Sequence, residues 1–303
     1  MKRITIIPFL LLALFLLVGV VWSQDQPAKK KTKKSNKQIC ITFDDLPVVR
    51  VHDRIQRLMI TDRILGALEE FNAPAAGFVI GNNIEGDPDL IESWLAKGHI
   101  IGYHTNSHPD LNTVPPSLYI QDIIAGVKTI EDMLVKAGQK RMYFRYPYLH
   151  YGNSLKTKEA VAEYLNEMQY RVAHVSVDTD DYAFNLQYEK IYQSDDSVRF
   201  DQIGNEYLDH IVDQLEEAEK LADEILGHSV KHILLLHANR INGDFLTELL
   251  TEIQTLGYSF IDLDQALADP VYSLTETYIG PMGISHLERL AESNPDLLPA
   301  RDR

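Results

Sequence analysis

Seven short apolar runs punctuate the chain, at residues 38–43, 76–80, 99–103, 142–146, 171–177, 232–236 and 258–263. Each is five to seven residues long, a length that suits a buried strand better than a helix. Between them, apolar positions return every three or four residues and predict helices over 55–71, 88–96, 117–137, 154–168, 206–226 and 243–256. Asp87-Pro88 and Pro116-Ser117 read as helix starts, and Gly98, Gly138 and Gly257 as helix stops. Strand and helix alternate over roughly 230 residues, which predicts a parallel sheet or barrel with α/β architecture. Seven strands with few antiparallel signals suit an incomplete (β/α) barrel. In such barrels the chemistry lies just past the C-terminal ends of the strands. No repeat of 20 to 50 residues is present, which argues against a solenoid or propeller.

Polar residues of the right kinds do follow the predicted strands. Asp44-Asp45 follows the first, His104-Thr105-Asn106-Ser107-His108 the third, and Arg145-Tyr146-Pro147-Tyr148 ends the fourth. Asp178-Thr179-Asp180-Asp181-Tyr182 follows the fifth and His237 the sixth. Adjacent side chains on extended backbone point in different directions, so one Asp of the pair can face a metal and the other a water or substrate. Two imidazoles and one carboxylate can hold a divalent ion with open positions. A second carboxylate can act as general base and a further His as general acid. Singly, each signal is weak: an Asp pair is commonly a solvated turn, and His-x3-His spacing arises by chance. Their common placement after strands carries the argument towards metal-assisted hydrolysis of an amide or ester.

In order and spacing these segments resemble the polysaccharide deacetylase family (carbohydrate esterase family 4, the NodB-like domain) from Thr42 to His237. The resemblance implies an irregular, incomplete (β/α)7 barrel. It implies Asp44 as catalytic base, Asp45, His104 and His108 as metal ligands, and Arg145 as the residue that holds the base. It further implies His237 as general acid, Asp178 as the residue that orients and tunes it, and a groove wall of Pro147, Tyr148, Asp181 and Tyr182. One divalent ion follows, zinc foremost, with cobalt, nickel, iron or manganese also compatible with two His and one Asp. The implied substrate is an acetylated carbohydrate such as chitin, peptidoglycan or xylan, attacked at an N-acetyl or O-acetyl group. The chain departs from the family pattern in Asp181-Tyr182 where Asp-Trp is usual, in Leu46-Pro47 after the Asp pair, and in His150-Tyr151. Two other readings stay open: hydrolysis of a small non-peptide amide on the same barrel, and a non-catalytic carbohydrate-binding protein.

Composition adds the setting. Met1–Arg3 carries two positive charges and residues 4–22 are almost wholly apolar, so residues 1–23 read as a secretory signal, or an uncleaved anchor tethering the protein through 4–22. Residues 24–37 form a basic linker, 38–270 the catalytic barrel, and 271–303 a C-terminal extension with a short helix over 285–293. An exported location follows: periplasmic, extracellular or on the outer side of the membrane. Without residues 1–23 the chain has 27 basic and 44 acidic residues, a net of −17, which disfavours nucleic-acid binding. Cys40 is the sole cysteine, so no intrachain disulfide forms. It sits in the first predicted strand and reads as core. His52, His99, His174, His210, His228, His232 and His286 match no motif and read as surface or packing residues.

Overall fold

The computed structural model describes residues 37–140, 142–192 and 197–297. The leader and most of the basic tether expected over 1–37 lie outside the described residues, as do 298–303. Seven parallel strands form the sheet: β1 (Lys37–Leu46), β2 (Ala75–Val79), β3 (Ile100–Tyr103), β4 (Tyr143–Phe144), β5 (Arg171–Val172), β6 (Lys231–His237) and β7 (Tyr258–Phe260). Their order is β5-β4-β3-β2-β1-β6, with β7 paired to the first three residues of β1. β1 is the central strand, and Ile39, Cys40, Ile41 and Phe43 are fully buried. An unbroken apolar run, rather than an alternating one, is what a parallel strand covered on both faces requires. Cys40 is a free, buried thiol, as its place in the strand predicts.

The helices are α1 (Arg54–Glu70), α2 (Pro88–Ala96), α3 (Pro116–Lys136), α4 (Leu155–Glu167), α5 (Asp181–Tyr192), α6 (Ser197–Leu226), α7 (Arg240–Thr255), α8 (Leu263–Leu267) and α9 (His286–Ser293). Side-chain caps set several starts: Asp53 accepts from the Gln56 amide, Ser154 from Thr157 and Asn239 from Asn242. Among the described residues no helix is long and apolar enough to cross a membrane.

Two predicted elements differ. The expected strand 171–177 divides. Arg171 and Val172 pair with β4, whereas Val177 bridges Leu234 of β6 and its carbonyl accepts the Leu235 amide at 3.0 Å. This crossing curls the sheet into a barrel that is incompletely closed. The charged segment after Tyr182, expected as helix only from 206, is helical from Asp181 to Tyr192 and again from Ser197. Tyr207, Ile211, Leu215, Ala218, Ala222 and Ile225 of α6 are buried at intervals of three and four, so its many acidic residues occupy the other faces.

Candidate active site

The strand ends deliver their polar residues into one cleft of about 650 Å³. Asp44, Asp45, His104, His108, Tyr148, Asp178, Tyr182 and His237 all line it. Asp45, Thr105, His108, Tyr148 and Asp180 have φ between 48° and 66°, a left-handed conformation that costs non-glycine residues free energy. Such strain concentrates where a fold holds side chains for function.

Asp45, His104 and His108 converge. Asp45 Oδ1 lies 3.5 Å from His104 Nε2 and 3.4 Å from His108 Nε2, and the two Nε2 atoms are 3.2 Å apart. His104 Nδ1 donates to the Arg145 carbonyl at 2.9 Å, which leaves the Nε2 lone pair facing the cluster. Burial lowers the pKa of both histidines to about 4, so both are neutral near pH 7, the form that ligates. Asp45 Oδ1 is buried without a hydrogen-bond partner. An orphaned carboxylate oxygen facing two neutral imidazole nitrogens fits a divalent cation well, and these three residues can hold one.

Asp44 sits beside this cluster. It is 3% exposed, and Arg145 Nη1 donates to its Oδ1 at 3.2 Å. Arg145 is itself fully buried and fixed, with Nε donating to the Ala173 carbonyl at 2.6 Å and Nη2 to Thr42 Oγ1 at 3.1 Å. Burial raises the Asp44 pKa to about 6, against the opposing pull of Arg145. The carboxylate is still the major form at pH 7. The β1–β6 register sets Asp44 directly beside His237, so a backbone ladder places the two groups within one cleft.

His237 has a different partner from the one implied by the family pattern. Its Nδ1 donates to Asp181 Oδ1 at 2.6 Å. Asp181 Oδ2 accepts from the His237 amide at 2.8 Å, Asn239 Nδ2 at 3.0 Å and Asn242 Nδ2 at 2.5 Å. Burial opposes the imidazolium, but the Asp181 charge and hydrogen bond outweigh it and hold His237 at about 10. Asp178, expected in this role, caps the Thr179 amide at 2.8 Å and faces the cleft. The reason is local: α5 begins at Asp181, whose carboxylate meets both the amide and the ring of His237 at the end of β6. Asp181 is therefore fully buried and no part of a groove wall. Pro147 is buried too and does not line the cleft, whereas Tyr148 and Tyr182 do, each 54% exposed.

Other supporting residues carried no motif. Asp122 of α3 accepts from the Asn106 and Ser107 amides at 2.7 and 2.8 Å and so clamps the loop bearing both histidines. Asn239 and Asn242 do have a readable signal, the helix-capping pair just after His237. His150 reaches the cleft with its Nδ1 2.7 Å from Asp110 Oδ1.

Residues 31–173 match the sequence model of a family described as polysaccharide deacetylase, a span that includes Asp44, Asp45, His104, His108 and Arg145. Over 145 residues the chain is 32% identical to a peptidoglycan-N-acetylglucosamine deacetylase of Bacillus cereus, covering 48% of this chain and 46% of that protein. It is 30% identical over 153 residues to a chitin deacetylase of Colletotrichum lindemuthianum, covering 48% and 54%. The chain thus spans about half the length of these curated relatives. Among solved structures, a polysaccharide deacetylase from Bacillus cereus superimposes with a TM-score of 0.54 at 19% identity, over 75% of this chain and 92% of that one.

Proposed function

We propose that this chain, a member of the polysaccharide deacetylase family, is a metal-dependent hydrolase that removes acetyl groups from a carbohydrate. The observation that carries the reading is the shared cleft: a three-ligand group and a buried carboxylate on one side, and a carboxylate-bound histidine on the other. Asp45, His104 and His108 hold the ion. When bound, a divalent ion there lowers the pKa of water and polarises the acetyl carbonyl. Asp44 accepts the proton of the water that adds to that carbonyl, with Arg145 holding the carboxylate in place. His237, protonated and oriented by Asp181, delivers a proton to the leaving nitrogen as the carbon–nitrogen bond breaks. The products are acetate and a free amine; for an O-acetyl ester the same groups release an alcohol. Asp178 is positioned to meet substrate rather than to tune the acid.

The cleft shares Asp178, Asp180, Met282 and Gly283 with a second groove of about 1120 Å³, which supports an extended glycan over a small enclosed amide. Zinc is the proposed ion, by ligand type. Export through residues 1–23 belongs to the same proposal and rests on sequence alone. Acetate release from hexa-N-acetylchitohexaose and from peptidoglycan, before and after chelation, tests the reading. Release that chelation stops and zinc restores is expected; no release from either glycan, or release indifferent to chelation, refutes it.

A further inference from the structure

The C-terminal extension reaches the cleft. Met282 and Gly283 line both the catalytic cleft and the neighbouring groove, so they stand at the threshold between the two. Met282 is 65% exposed, an apolar side chain presented to solvent in the cleft that the exposed Tyr148 and Tyr182 also line. A pyranose ring offers an apolar carbon–hydrogen face, and ligand sites commonly set such apolar surface around a few polar groups. Gly283 is pressed against the cleft floor: a Cβ there would lie 1.8 Å from the Tyr148 carbonyl oxygen. Tyr148 in turn holds its ring 4.4 Å from that of His108.

The segment is fixed from behind. Arg289 of α9 is 1% exposed, donates to the Ile284 carbonyl at 2.8 Å and lies 3.9 Å over the Tyr151 ring. Its Nε donates to Glu276 Oε1 at 3.3 Å, which also accepts from Lys158 at 2.5 Å. The His286 amide donates to the Val175 carbonyl at 2.6 Å, tying the start of α9 to the strand crossing. A buried, fully paired guanidinium is costly to disturb, so the threshold is a built wall and not a trailing end.

We propose that Met282 is a specificity-determining residue that packs against the sugar unit next to the one being deacetylated, and that Gly283 is a positioning residue for Tyr148. The inference rests on the glycan reading and deepens it. Met282 contributes binding contact to a neighbouring unit and takes no part in bond breaking. Its loss therefore weakens binding and leaves the chemical step in place.

Turnover and calorimetric binding of hexa-N-acetylchitohexaose test this on the metal-loaded full chain. Met282→Ala is expected to raise both KM and Kd about five-fold with little change in kcat, Met282→Leu to restore both, and Leu274→Ala, an exposed site on the same extension outside the cleft, to leave both unchanged. Gly283→Ala is expected to lower kcat as well, because its methyl group displaces Tyr148. Met282→Ala with wild-type KM and Kd overturns the wall while leaving the glycan reading intact. A wild-type protein that neither binds nor cleaves the glycan overturns both.

Discussion

At the scale of single residues, the two adjacent aspartates differ because of what each faces. Asp45 Oδ1 has two imidazole nitrogens within 3.5 Å and no hydrogen-bond donor. Asp44, one residue earlier, meets Arg145 instead: the left-handed φ of 63° at Asp45 and the register shift between Phe43 and Leu46 break the strand's simple alternation and turn the second carboxylate towards the imidazoles. The pair would repel strongly if both faced the same space. Across the cleft, Asp181 turns His237 into a group that stays protonated to about pH 10. The proposed mechanism thus needs Asp44 ionised and His237 protonated. Activity should fall as pH drops through about 6 and fall again as pH rises through about 10. A bound dication beside Asp44 favours its ionised form and moves the acid limb lower. Asp181→Asn removes the charge that supports the imidazolium, so the alkaline limb of kcat/KM should move down by about one to three pH units. A pH–rate profile that keeps its alkaline limb in this variant would separate Asp181 from the acid. The same linkage has a stability side: the raised His237 pKa stabilises the fold fully below its ordinary value of 6.5, and that contribution is lost as pH rises through about 10.

At the scale of elements, the site depends on helices packed close behind the strand-end loops. Gly126 of α3 lies under the loop that carries His104 and His108, the two proposed histidine ligands. A Cβ there would sit 2.6 Å from the Thr105 carbonyl carbon and oxygen. Alanine gains about 1 kcal/mol of helix propensity over glycine, but overpacking against backbone costs about 1–3 kcal/mol and also shifts the ligand loop. Gly126→Ala should therefore lower the melting temperature and weaken metal binding. Gly66→Ala, at an exposed position of α1 where nothing lies within 4 Å of the added methyl, should raise the melting temperature instead. Thermal melts of both variants test the contrast.

These packed contacts also mark where sequence reading stops. The central strand and α2 were legible because their apolar runs and Pro88 act locally. The ligand triad and Asp44 were legible because their motifs follow strands directly. Asp178 was given the role of Asp181 because it opens the motif Asp178-Thr179-Asp180-Asp181-Tyr182 that carries the family resemblance; α5 begins at Asp181, and it is that later carboxylate which bonds His237. Asp122, Met282 and Gly283 reach the site from 14 or more residues away from any ligand, through tertiary contacts that leave no local pattern.

At the scale of the whole molecule, the cleft gathers buried acidic and imidazole groups, a setting that favours a bound cation. Asp45 Oδ1 faces two imidazoles with no hydrogen-bond donor, and burial raises the Asp44 pKa to about 6. A ligand that binds the folded chain alone stabilises it by about 2.7 kcal/mol at a hundred times its Kd. Zinc should accordingly raise the melting temperature in a concentration-dependent way, and a chelator should reverse the gain. A melting temperature indifferent to zinc would speak against a resident ion. The acidic body, with a net charge of −15, also favours cations in general, so magnesium at equal concentration serves as the control.

The division of labour between the two aspartates is the centre of the account, and one paired measurement tests it most directly: metal content and acetate release of Asp44→Asn and Asp45→Asn, purified alongside the wild type. Asp44→Asn should retain the metal and lose most turnover, whereas Asp45→Asn should lose the metal and turnover together. If both variants lost metal equally, or if Asp44→Asn kept its turnover, the assignment of base and ligand would be wrong.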